Sequence, residues 1–162
     1  MSSGIFKILA LFSAAVALRL ASSIIDTKRG REAEMNPFYF VVGLGLAGAL
    51  GTLARYGVGV VAVIAFGNSY PYGTFFVNVF GAFLFGLLHG LPQIPAEWRI
   101  ILLTGFLGGF TTFSAFAFEN QNLLEQHRYI AFTIHIAGQN ILGIVAVLAG
   151  LALTAWLCAV SR

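Results

Sequence analysis

The sequence predicts an all-α membrane protein built on four transmembrane helices. Only 9% of its 162 residues are charged while 59% are hydrophobic, whereas soluble domains carry roughly 25% charged residues. From Met35 onward the chain falls into four apolar blocks with short polar punctuation, and a bilayer helix needs about 20 such residues. The apolar runs do not alternate with polar residues, as the strands of a membrane barrel must. Four spans with short loops leave no room for a soluble catalytic domain, so residues 35–162 are expected to form one compact membrane unit.

Residues 1–34 differ in kind. An apolar run from Ile5 to Ile25 carries Lys7 and Arg19 and leads into Asp26-Thr27-Lys28-Arg29-Gly30-Arg31-Glu32. Three readings stand side by side: a signal or transit peptide, a fifth helix burdened by a charge near its middle, or an upstream artefact with Met35 as the true start. With Lys28, Arg29 and Arg31 clustered at its end, this segment carries five basic residues against three acidic ones, most of the net charge of +3. Without this segment the balance is four basic residues (Arg55, Arg99, Arg128, Arg162) against three acidic ones (Glu97, Glu119, Glu125). That near-neutrality argues against a nucleic-acid partner. A single cysteine, Cys158, excludes an internal disulfide framework and a cysteine-based metal site.

The first block runs from about Phe38 to Phe66, with Arg55 as its only ionisable group. Arg55 shares a face with Gly48, Gly51 and Gly59; it needs carbonyl or carboxylate partners or a watery vestibule, or else it snorkels toward an interface. Asn68-Ser69-Tyr70-Pro71-Tyr72-Gly73 ends the helical pattern as a turn. The second block, about Thr74 to Leu91, closes at Pro92 and Pro95 and places Thr74, Asn78, Gly81 and Phe85 on one face. Asn78 is its only amide, either a functional polar group or interhelical glue.

The third block, about Glu97 to Leu124, contains Gly108-Gly109 followed by Thr111, Thr112 and Ser114 near mid-membrane. Adjacent glycines weaken a helix, and a helix opened there frees carbonyls that hydrocarbon cannot satisfy but a cation can. The alternative is a close crossing in which glycines let two backbones touch. Phe110, Phe113, Phe116 and Glu119 recur at intervals of three. Such a stripe packs a core or faces lipid, unless its electropositive ring edges serve a small anion. In the fourth block, about Tyr129 to Val160, Gln139 and Asn140 are open to the same two readings as Asn78, with Asn140 near the middle. His89, His127 and His135 do not cluster by spacing, and no nucleophile–base pair, phosphate loop or paired carboxylate supports an enzyme. A four-helix chain this small does not easily enclose a polar pathway alone, so association with a second copy is expected.

Three ordered motifs then resemble one family. Gly48-Ala49-Leu50-Gly51-Thr52-Leu53-Ala54-Arg55-Tyr56, Gly73-Thr74-Phe75-Phe76-Val77-Asn78-Val79-Phe80-Gly81-Ala82-Phe83 and Thr104-Gly105-Phe106-Leu107-Gly108-Gly109-Phe110-Thr111-Thr112-Phe113-Ser114-Ala115-Phe116 are similar to the first-, second- and third-helix motifs of the Fluc/CrcB fluoride channels. The likeness covers about residues 36–158. It implies a third helix broken near mid-membrane, an antiparallel dual-topology homodimer in the cell membrane, two fluoride pores and one structural sodium ion (Na+) at the subunit interface. By motif position the ion falls to the main-chain carbonyls of Gly108 and Thr111. The fluoride pathway falls to Asn78, Phe113, Ser114, Phe116 and Asn140, with Arg55 and Glu119 at charged positions near the pore mouths. Two departures stand out: residues 1–34 have no counterpart, and Ala115 sits where a hydroxyl residue is common. The rival readings are a small dimeric multidrug or cation exporter, which needs a membrane carboxylate that the first block lacks, and a non-transporting assembly subunit.

Overall fold

The computed structural model describes residues 35–160, and the three readings of residues 1–34 lie outside the described residues. Helix α1 spans Pro37–Phe66. Its start is encoded locally: the Asn36 side chain accepts from the Phe38 amide at 2.9 Å, and Pro37 sits in the first turn, where a missing N–H removes no helical bond. It stops at Gly67, whose φ of 74° lies in the left-handed region that glycine enters without penalty. Helix α2 spans Tyr72–Gly90, bounded by Pro71 and Pro92. The loop that follows is tied by Arg99, whose guanidinium donates to the carbonyls of Leu91 (2.9 Å) and Ile94 (3.2 Å).

The third span covers Ala96–Glu125 in two parts. Its first part, α3, covers 96–110: an α-helical turn at Ala96–Ile100, a π-helical stretch at Ile101–Leu107 and a last turn at Gly108–Phe110. The second, α4, is Phe113–Glu125. Between them Thr111 and Thr112 are extended, at φ −83°, ψ 161° and φ −153°, ψ 123°. A tight corner through His127 (φ 55°) leads into α5, Tyr129–Val160. The described residues contain no strand, and the four spans are each long and apolar enough to cross a membrane.

The break falls two residues beyond the glycine pair on which the sequence focuses attention. Gly108 keeps helical angles (φ −63°, ψ −36°), and Gly109 serves the other role open to it. A methyl at Gly109 would overlap the Gly48 carbonyl of α1, and one at Gly51 would overlap the Phe106 carbonyl of α3. The glycines thus let α1 and α3 touch backbone to backbone. Gly86 of α2 and Gly150 of α5 make the second such crossing, against Val147 and Phe83 respectively. The helix opens at the threonine pair: the Thr111 amide and hydroxyl both bond the Leu107 carbonyl, and the Thr112 hydroxyl stands in for a helical bond at the start of α4. Thr111 Oγ1 donates back to the Leu107 carbonyl at 2.9 Å, and Thr112 Oγ1 caps α4 by accepting from the Ala115 amide at 3.2 Å. Gly81 of α2 makes room for the Thr111 methyl.

Val77, Leu103, Leu107 and Phe110 form the buried centre where α1, α2 and α3 meet, with Ala54, Val58, Leu84, Leu88 and Phe106 packed around it. Outside this centre the helices present Leu46, Leu50, Leu53, Ile64, Ile144 and Leu148 outward. So broad an apolar exterior is untenable in water and is what lipid requires.

Candidate functional site: a polar relay and cavity at the helix break

The break releases main-chain groups, and Asn78 takes up two of them. Its Oδ1 accepts from the Thr112 amide at 2.8 Å, while its Nδ2 donates to the Thr112 carbonyl at 3.0 Å. Both partners are backbone, so the orientation of the Asn78 amide follows without ambiguity. The second Nδ2 hydrogen goes to Gln139 Oε1 at 2.7 Å. Gln139 Nε2 then lies 2.9 Å from His135 Nε2, and His135 Nδ1 lies 3.2 Å from the Tyr70 hydroxyl. A continuous relay therefore runs Thr112–Asn78–Gln139–His135–Tyr70, from mid-membrane to the loop before α2.

Around this relay a cavity of about 260 Å³ is lined by Asn78, Thr111, Thr112, Phe113, Phe116, Gln139 and Asn140. Phe113 is 78% exposed in the single chain. Phe116 instead stacks on the His135 ring, with centroids 5.3 Å apart. The two phenylalanines are 5.7 Å from each other. Ser114 is exposed beside them, its Oγ 3.2 Å from Thr112 Oγ1. Asn140 donates to its own helix at Ile136 (2.7 Å), which leaves one amide hydrogen for the cavity.

A second cavity, about 340 Å³, forms a vestibule at the α1–α2 and α4–α5 loops; its lining includes Tyr70, Thr74, Glu119, Asn122 and Arg128. Thr74 Oγ1 donates to Glu119 Oε1 at 2.5 Å. Glu119 Oε2 has no hydrogen-bond partner and lies 3.5 Å from His135 Nε2. Burial, then Tyr72, then the Glu119 charge push the Tyr70 phenol above its usual pKa, so it remains a neutral donor at physiological pH.

Arg55 reaches neither cavity lining; its Nη1 donates to the Thr111 carbonyl at 3.1 Å. This is the carbonyl partner that an arginine within a span requires. The carbonyls of Gly108 and Thr111 share one property. The amides that would close their helical bonds, those of Thr112 and Ala115, are diverted to Asn78 Oδ1 and Thr112 Oγ1. Gly108 is exposed, and a methyl there would touch only the Leu103 carbonyl, at 4.0 Å. Hard oxygen donors of this kind suit an alkali or alkaline-earth cation and not a soft metal, so the donor set fits the sodium ion.

Asn78, Phe113, Phe116 and Asn140 thus share one cavity, Ser114 stands at its edge, and Glu119 belongs to the vestibule. The sequence named Thr74, His135 and Gln139 without assigning them to the site, and Tyr70 figured there only as part of a turn. The available signal was the i, i+4 spacing of His135 and Gln139, which puts both on one face of α5. Their meeting with Asn78 and Glu119 depends on α2 and α4 and is invisible in spacing.

The family model described as "CrcB-like protein, Camphor Resistance (CrcB)" matches residues 42–151. The chain is 49% identical over 114 residues to the "Fluoride-specific ion channel FluC" of Solidesulfovibrio magneticus, covering 68% of this chain and 91% of that protein. The protein of the same name from Nitratidesulfovibrio vulgaris is 45% identical over 115 residues, 68% of this chain and 93% of that protein. That from Chloroflexus aurantiacus is 37% identical over 120 residues, 72% and 95% of the two chains. With the model spanning all four helices and relatives matched over nearly their whole length, this multi-pass membrane chain belongs to the CrcB-like family.

Proposed function

We propose that the chain is a fluoride-selective channel of the cell membrane that lets fluoride leave passively and so relieves its toxicity. The observation that carries this reading is the cavity at the break, where two phenylalanines stand beside amide and hydroxyl donors. Fluoride is small and strongly hydrated, so a pathway must replace its water with N–H and O–H groups and with the electropositive edges of rings. The relatives named as fluoride-specific channels support it independently. Asn78, Phe113, Ser114, Phe116 and Asn140 would line the path; Glu119 would stand at its vestibule, and Arg55 would raise the potential near the break.

The same reading includes an antiparallel, dual-topology homodimer. One copy leaves Phe113 and the cavity open on its outer side, and a second copy would close it. Two copies would bring together four carbonyls from Gly108 and Thr111. A sodium ion there would add a fixed positive charge that favours an anion nearby, while the carbonyls and Arg55 hold the break in shape. A proton-coupled cation exporter is less well supported: Glu119, the one acid inside the described spans away from their ends, is engaged by Thr74. A non-transporting subunit would leave the lined cavity without a purpose.

Vesicles reconstituted with the protein and loaded with fluoride or chloride test the proposal. A fluoride electrode should record rapid emptying, while chloride-loaded vesicles hold their contents. Chloride leaving as fast as fluoride would overturn it.

A further inference from the structure

As folded, Asn78 has no hydrogen to offer an anion. One Nδ2 hydrogen is held by the Thr112 carbonyl and the other by Gln139 Oε1. The polarity of the relay explains why. Thr112 fixes Asn78 through two backbone bonds, so Gln139 must turn its oxygen to Asn78 and its NH2 to His135. His135 Nε2 must then be a bare acceptor, and its proton must sit on Nδ1, facing Tyr70. The ring is completely buried and its tautomer is dictated by a backbone amide three residues away in the relay.

Glu119 Oε2 stands in conflict with this arrangement: it lacks a partner and faces the lone pair of His135 Nε2 at 3.5 Å. One added proton resolves the conflict. Whether it sits on Nε2 or on Oε2, it forms an Nε2···Oε2 hydrogen bond and occupies the lone pair that Gln139 was using. Gln139 cannot answer by flipping, because Asn78 can present it only a donor. It must disengage, and one Asn78 N–H is then free at the cavity wall beside Phe113 and Phe116.

We propose that the Glu119–His135 pair is a proton-operated latch, with Gln139 as the positioning residue through which it withholds or releases the Asn78 donor. The proposal rests on the fluoride-channel reading. The titratable groups facing His135 are Glu119 from α4 and Tyr70 from the loop before α2; α2 contributes the uncharged Asn78 through Gln139, and Arg128 lines the vestibule that Glu119 and Tyr70 share. Phe116 is stacked on the ring from α4. Conduction rises as pH falls, since protonation liberates the donor.

Fluoride efflux from reconstituted vesicles at about pH 8 and about pH 6 brackets the histidine range, with protein-free vesicles to subtract leakage of undissociated acid. The rate should rise roughly tenfold in acid, the lower bound for one hydrogen bond to a charged group. Gln139→Met keeps the bulk but breaks the relay, and should be fast at both pH values. A wild-type rate that does not change, or a Gln139→Met channel with the wild-type pH profile, would overturn the latch. Histidine nitrogen NMR of the chain carrying His89→Gln and His127→Gln, both at exposed positions, reads the tautomer without transport. The proton should be on Nδ1 at about pH 8; a proton on Nε2 would overturn the proposal. A chain that keeps the Nδ1 tautomer but moves no fluoride at any pH would count against the channel reading alone.

Discussion

Asn78 holds both backbone groups of Thr112, so its removal is a test of the break as much as of the pathway. Asn78→Leu would leave the part-buried N–H and C=O of Thr112 without their partner, at up to about 1–3 kcal/mol each. Thermal unfolding in detergent should fall measurably, and fluoride flux should be lost with it. Phe113 offers a cleaner experiment. It is mostly exposed in the single chain, so Phe113→Ile leaves the subunit's own packing intact. An aromatic interaction is worth about 0.5–1.5 kcal/mol, or roughly 2- to 13-fold in rate. A fall in fluoride flux of that size, with dimer and stability retained on size exclusion, is the expected outcome. Phe116→Ile should lower both flux and stability, because its ring also covers His135. At this scale the sequence revealed the chemical types well. Asn78 stood out as the lone amide of its block and the phenylalanines as a stripe, but their partners lie on other helices, so the relay through Gln139 and His135 was not legible.

Among the helices, the glycine crossings decide how closely the spans pack. Gly51→Ala places a methyl onto the Phe106 carbonyl and 2.9 Å from the Phe110 amide, a clash against backbone that cannot rotate away. Overpacking of this kind costs about 1–3 kcal/mol. Gly57→Ala on the same helix meets nothing within 4 Å, so chemical denaturation should separate the two variants clearly. The boundaries of the spans were readable to within two residues, because Asn36, Pro37, Gly67, Pro71 and Pro92 punctuate them through local chemistry. The π-helical stretch at Ile101–Leu107 was not readable. A bond shifted by one residue leaves no mark on composition, and such stretches sit at functional sites. The position of the break was misplaced for a related reason: glycine permits opening and close packing alike, and only the contact with Gly48 decides between them.

For the molecule as a whole, orientation and assembly carry the remaining expectations. With four spans, the start of α1, the α2–α3 loop and the C-terminus share one side. That side carries Arg99 and Arg162 against Arg128 on the other, a weak bias under the positive-inside rule. Lys28, Arg29 and Arg31 would add three charges just before α1. A chain beginning at Met35 should therefore insert both ways, while one retaining residues 1–34 should favour a single orientation and yield less antiparallel dimer. Topology reporters on the C-terminus would show this. If the proposed dimer crystallises, the Gly108 and Thr111 carbonyls should surround a light ion with only oxygen neighbours; anomalous scattering from a transition metal would contradict the proposed sodium site.

The central claim is that the protein conducts fluoride and excludes chloride, and a reversal potential across a planar bilayer tests it most directly. With fluoride at unequal concentrations on the two sides and an opposing chloride gradient, the potential at zero current should follow the fluoride gradient, by about 59 mV for each tenfold change. It should be indifferent to chloride. A reversal potential that follows the chloride gradient instead would contradict the account.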